Sequence, residues 1–172
     1  IGSASDTDAM AISSGGVVNF TQTPTVSSVQ LTNTPSFYVT KNDSNQSISQ
    51  ATDTVVTFNN EVFDSDNKFA SNKFTPTVSG KYFLFAAGQC TGTFGDNSTL
   101  YISIKKNGSG VALEETRVWE SGAYSISVGV STIVISDTDD YFEVSMYNSS
   151  GTPPIRHGDS FTYFGGYKLI GA

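Results

Sequence analysis

Thr75-Pro76-Thr77-Val78-Ser79-Gly80-Lys81-Tyr82-Phe83-Leu84-Phe85-Ala86-Ala87 is the stretch on which the fold turns. Pro76 has no amide hydrogen to give a ladder, so it belongs in a connection or at a sheet edge. Gly80 permits a sharp entry into the following strand at little steric cost. Tyr82 to Ala87 is apolar at odd and even positions alike. Successive side chains of a strand point to opposite faces, so such a strand needs two covers. One is an opposing sheet. The other is either a neighbouring copy of the chain or a loop of the same chain. The run Phe161, Tyr163, Phe164 and Tyr167 near the C-terminus carries the same two-sided aromatic load.

Outward from this stretch the hydrophobic period is two. Leu100, Ile102 and Ile104 alternate with Tyr101, Ser103 and Lys105, and Tyr124, Ile126, Val128 and Val130 with Ser125, Ser127, Gly129 and Ser131. Phe142, Val144 and Met146 alternate with Glu143, Ser145 and Tyr147. Each pattern predicts a strand with one buried face. Asn107-Gly108 predicts a tight hairpin, and Asp137-Thr138-Asp139-Asp140 predicts a second between the flanking apolar runs. Helical spacing with caps is absent, which excludes an alternating α/β enzyme fold. A β-sandwich, a jelly roll or a barrel is expected. Residues 1–34 differ: Met10 and Ile12, then Val18 and Phe20, flank Ser13-Ser14-Gly15-Gly16, and Thr23-Pro24-Thr25 reads as a connector. Two strands this short are not stable alone. The segment is either a shaft that packs around a three-fold axis or a linker. The chain opens on Ile1 rather than Met, as expected of a piece of a longer protein.

From Pro35 to Ile170 the chain resembles the globular head of complement component one-q, which shares its jelly roll with the tumour necrosis factors. Pro35-Ser36-Phe37-Tyr38-Val39 resembles the family's opening strand. Thr75 to Tyr82 resembles its proline-glycine-tyrosine entry into a long core strand. Lys105-Lys106-Asn107-Gly108 is similar to its basic hairpin, and Asp140-Tyr141-Phe142-Glu143-Val144 to its aspartate-led strand. Phe164-Gly165-Gly166-Tyr167-Lys168-Leu169-Ile170 is similar to its closing strand. The spacing from Phe69 to Phe74 is shorter than the family pattern, and Leu84 and Ala86 replace two aromatics. The resemblance implies an all-β, ten-stranded jelly-roll head over 35–172, homotrimeric, with Phe37, Phe83, Phe85, Tyr163 and Tyr167 at the trimer interface. The N-terminal segment is similar to the shaft repeats of bacteriophage tail fibres. Together they imply an extracellular viral fibre tip, on the virion surface, recognising a host glycan or protein receptor.

The net charge of −7 and the lack of a basic stripe exclude nucleic acid as the expected partner. No apolar run is long enough for membrane insertion as a helix. The single cysteine, Cys90, is far in sequence from the single histidine, His157, and reads as a buried inert thiol. Asp64 and Asp66, Glu114 and Glu115, and Asp137, Asp139 and Asp140 are the carboxylate groups available for glycosidase chemistry or, at the last cluster, for calcium. All sit where Asp and Asn serve as turn residues, and no catalytic residue or cofactor is expected. Trp119 and Tyr124 flank a short loop and suit stacking on a sugar, although Trp119 also suits a core. Arg156 and His157 are scarce cationic groups on an acidic chain, suited to an anionic receptor.

Overall fold

The structure, a computed structural model, describes residues 10–12, 14–16, 18–20, 25–26, 29–30 and 33–170. Among the described residues four short strands come first: β1 (Met10–Ile12), β2 (Val18–Phe20), β3 (Thr25–Val26) and β4 (Val29–Gln30). β1 and β2 pair antiparallel across the glycine turn expected there, Met10 opposite Phe20 and Ile12 opposite Val18. β3 and β4 form a second two-residue pair. Thr23 and Pro24 of the expected connector lie outside the described residues.

Eleven strands follow. They are β5 (Ser36–Thr40), β6 (Thr54–Val55), β7 (Asn60–Asp64), β8 (Phe69–Ala70), β9 (Lys73–Phe74), β10 (Gly80–Phe94), β11 (Ser98–Lys106), β12 (Ser109–Val118), β13 (Gly122–Ser136), β14 (Phe142–Asn148) and β15 (Tyr163–Lys168). No helix occurs among the described residues. One sheet has the order β13-β10-β15-β5-β7, the other β12-β11-β14-β9-β8, with β6 attached to β14. The two orders supply the ten strands expected of the jelly roll, and β6 is an addition. The chain crosses repeatedly from sheet to sheet, so pairing is dominated by partners distant in sequence.

The inward residues of both sheets make one core. Phe37, Val39, Tyr82, Leu84 and Phe164 face Phe74, Leu100, Ile102, Ile104 and Met146, all essentially inaccessible. The Phe37 ring stacks on Phe74 at 4.1 Å between centroids and meets Phe164 edge-on at 4.8 Å. The sheets approach closely at Gly88, where a Cβ would stand 2.4 Å from Met146 Sδ. Cys90 lies in this core, and burial pushes its thiol up to about 12, so the nucleophilic thiolate is not formed near neutrality. Tyr82 sends its hydroxyl to the carbonyl of Val78 at 2.6 Å, closing the turn before β10.

Two turns behave differently from one another. Asn107 and Gly108 both have positive φ, 52° and 80°, and link β11 to β12 as the expected two-residue hairpin. The Asp137–Asp140 segment is not a hairpin. β13 and β14 lie in different sheets, and the segment carries the chain between them. The cause is the buried Asp140 carboxylate, which accepts from the Asp137 amide at 2.6 Å, from Asn107 Nδ2 at 2.7 Å and from Lys106 Nζ at 2.7 Å. These bonds fold the segment back over the β11–β12 turn. Burial opposes ionisation of Asp140, but the three donors outweigh it and hold the carboxyl below its ordinary value. A carboxyl depressed in the folded state stabilises the fold above the unfolded value of about 3.9, and that contribution is lost as pH falls through the folded value. Asp140→Asn is therefore expected to cost about 1.5–3 kcal/mol near neutrality, the range for hydrogen bonds to a charged group. It should also flatten the acid limb: urea unfolding in steps below about pH 5 should show the gap between parent and variant closing.

Candidate functional site

Alternation along β10 sends Tyr82, Leu84 and Ala86 into the core and Phe83, Phe85 and Ala87 to the far side of the five-stranded sheet. The register places Phe83 between Ile133 and Tyr167, and Phe85 between Ser131 and Gly165. Tyr38 stands beyond Gly165. The result is a continuous aromatic layer: Phe83 meets Tyr167 at 5.6 Å, Phe85 meets Tyr163 at 6.3 Å, and Tyr38 meets Phe85 and Tyr163 at 6.2 and 5.8 Å. Gly165 makes this possible, because a Cβ there would lie 2.6 Å from the Phe85 ring and 3.0 Å from Tyr38. Burial, then the neighbouring Tyr163 and Asp159, raises the Tyr38 phenol, so the hydroxyl stays neutral. Along the β13 edge Ile133 and Ile135 are 60% and 67% exposed. Beyond Ala87 the same face turns polar, with Gln89 bonded to Ser127 and Thr91 to Ser125.

Of the residues expected at a subunit interface, Phe83, Phe85, Tyr163 and Tyr167 lie together on this face. Phe37 does not: it is 1% exposed and belongs to the core. The neighbouring Tyr38 takes the outward position. Tyr38, Ile133 and Ile135 were missed because each sits in an apolar run whose inward parity the sequence leaves open.

A second feature lies where β12 ends and β13 begins. Trp119 is 68% exposed, not a core residue. With Arg117, Val118, Glu120, Tyr124 and Ile126 it lines a shallow cleft of about 330 Å³. The Arg117 guanidinium lies 5.3 Å from the indole centroid. The Tyr124 ring is laid across Gly122, where a Cβ would stand 2.9 Å from it, and leans on buried Phe94 at 6.3 Å. Backbone bonds pin the loop: the Asn97 amide donates to the Trp119 carbonyl at 3.4 Å, and the Ser121 amide to Asp96 Oδ1 at 2.6 Å.

Arg156 and His157 do not join this cleft. Arg156 donates to Gln89 Oε1 at 2.7 Å and covers the Phe161 ring at 3.7 Å. His157 turns to another loop, its Nδ1 2.8 Å from Asn45 Oδ1. Nor do Asp137, Asp139 and Asp140 converge on a cation: Asp140 is committed to the three donors above while Asp137 and Asp139 are exposed. No group of three metal-ligating side chains occurs among the described residues, so the calcium expectation has no geometric support. Asp64 accepts from the Phe69 amide at 2.6 Å and from the Asp66 amide at 3.4 Å, a turn-capping role. Glu114 and Glu115 are exposed, successive residues of β12, whose side chains point to opposite faces.

No sequence-family profile matches the chain, and no curated protein matches it. Solved structures do. The globular domain of zebrafish complement 1qA protein superposes with a TM-score of 0.59 at 22% identity, covering 79% of this chain and 97% of that one. The Eiger tumour necrosis factor of S. frugiperda superposes with a TM-score of 0.57 at 11% identity, covering 80% and 93%. The fold is therefore the two-sheet jelly roll of the complement-one-q and tumour-necrosis-factor type.

Proposed function

We propose that the chain is a homotrimeric, non-catalytic recognition head, placed outside a cell at the tip of a viral fibre and attaching it to a glycan or protein of the host surface. The aromatic outer face of the five-stranded sheet carries this reading. An apolar patch of this extent, rimmed by polar residues, is a self-association or docking surface rather than a solvated one. Its residues come from four neighbouring strands of one sheet, which suits a fixed interface between copies. The Lys168 amide donates to the Pro35 carbonyl, and Lys168 pairs with Tyr82 near the start of β10. The chain enters the head at that end, where a shaft would attach, and Tyr124 of the cleft pairs with Gly92 toward the other end of β10, roughly 33 Å along the strand at 3.3 Å per residue. Three copies on one axis would present three such clefts away from the shaft, and multivalency would strengthen a weak single site. A secreted recognition ligand of cellular origin is the second reading, favoured by the likeness to a complement 1qA head and a tumour necrosis factor.

Light scattering after size exclusion is the direct test. A mass of three times 18.3 kDa, unchanged on dilution, is expected. A stable monomer would leave the aromatic face without its partner and remove the trimeric head. Binding of labelled protein to candidate host cells, against cells lacking surface polysaccharide, then addresses the attachment role.

A further inference from the structure

We infer that the Trp119–Tyr124 cleft is a saccharide site, holding one pyranose ring of a surface glycan with its C–H face on the indole and its hydroxyls toward Arg117 and Glu120. The inference rests on the recognition-head reading and names its ligand class. Three observations carry it. First, Trp119 is held out to solvent by a pinned backbone, with Arg117 against its ring; among the described residues the indole N–H bonds to nothing. Exposing the largest aromatic side chain this fully gains nothing for folding, whereas a flat apolar ring fits the C–H face of a sugar. Second, the polar groups at the cleft are the two that read paired hydroxyls. Arg117 has no carboxylate within ion-pair range among the described residues, so its donors are available. Glu120 supplies an acceptor on the same lining. Third, the scale is right. A volume of about 330 Å³ is at the lower end for small-ligand pockets, about 300–1,000 Å³. The aromatic island is bordered by Asp96, Asn97, Ser121 and Ser125, all exposed. A protein partner would need about 800 Å² of matched surface on each side, and this short polar border does not extend the apolar patch.

Trp119 is the only tryptophan in the chain, so intrinsic tryptophan fluorescence reports this cleft alone. The full chain is titrated with the methyl pyranosides of glucose, galactose and mannose, with N-acetylglucosamine and with N-acetylneuraminic acid. A saturable blue shift or quench with at least one of them, in the millimolar range expected of a single shallow site, is the predicted result. Which sugar responds sorts neutral from acidic glycans. Saturation-transfer NMR then follows the responding sugar: Tyr124→Ala and Arg117→Ala should each weaken binding by about tenfold, with the mass and melting profile of the assembly retained. No saturable change with any of the five sugars overturns the saccharide site, as does binding that survives both substitutions. If host-cell binding persists while the sugars fail, the recognition head stands and only the cleft assignment falls. If the chain is monomeric yet the sugars bind, the reverse holds.

Discussion

Replacing Phe37 by alanine is expected to destabilise each subunit by about 3–5 kcal/mol, the range for removing a fully buried phenylalanine, while the same change at Tyr38 costs the subunit only about 1 kcal/mol. The two residues are adjacent in β5 and have opposite surroundings. Phe37 is enclosed by Phe69, Phe74 and Phe164, so its loss leaves a cavity that rigid neighbouring strands cannot fill. Tyr38 lies on the outer aromatic layer against Phe63, Phe85 and Tyr163. Its loss in the free subunit exposes ring edges that are already partly wet. In the proposed trimer it should act on association instead, because the hydroxyl-bearing ring would be covered by a neighbouring copy. Urea unfolding at two protein concentrations separates the two effects, since coupling to assembly makes the midpoint concentration-dependent. Phe37→Ala should lower the midpoint equally at both concentrations. Tyr38→Ala should lower it mainly in the concentrated sample, where assembly adds most to the parent's stability. Equal and concentration-independent losses at both positions would mean that Tyr38 is a core residue and that its face is not an interface.

The same pair shows what the sequence discloses and what it withholds. Strong alternation is legible: Leu100, Ile102 and Ile104, and the parallel set Phe142, Val144 and Met146, are inward as their period predicts. The Asn107-Gly108 turn is legible because only residues tolerant of positive φ suit it. Runs such as Ser36-Phe37-Tyr38-Val39 and Ile133-Val134-Ile135 are apolar at both parities, so the pattern identifies a two-sided strand without saying which side is the core. Register decides it, and register is a property of the paired strand. The Asp137–Asp140 segment was misread as a hairpin for a related reason. Turn residues mark a reversal, but the sheet that the next strand joins depends on bonds from Lys106 and Asn107, some thirty positions away. Trp119 was undecidable because a single aromatic before a loop has no period. Its exposure follows from its place past the last inward residue of β12, Val118, which is 7% exposed.

Ile133→Asp combined with Ile135→Asp is expected to convert the proposed trimer to monomers at micromolar concentration without unfolding the jelly roll. Both side chains stand on the outer face of β13, at the edge of the five-stranded sheet, directly beside Phe83 and Lys81 in register. In the isolated subunit they are mostly solvated, so aspartate there meets water, and its cost to the subunit stays near that of other surface changes, about 0.5 kcal/mol. In a trimer closed through this face, each substitution forfeits the burial of an isoleucine, about 1.5–3 kcal/mol. It also places a carboxylate against an aromatic layer, which adds a desolvation cost. The double change acts once per subunit, and a closed ring repeats it at all three interfaces. Lys81, across from Ile135, and Lys106, whose ammonium donates to the Ile135 carbonyl at 2.9 Å, stand ready to answer a charge at 135 and not at 133, so Ile133→Asp alone should dissociate the assembly more than Ile135→Asp alone. Light scattering gives the mass, and circular dichroism gives the fold. A drop to 18.3 kDa with an unchanged β spectrum is the predicted pair of results. A mass of three chains that survives both aspartates would move the subunit contact off this face. In that case the aromatic layer would be covered by a different partner, and the three-fold arrangement of the Trp119 clefts would have to be rebuilt from another interface.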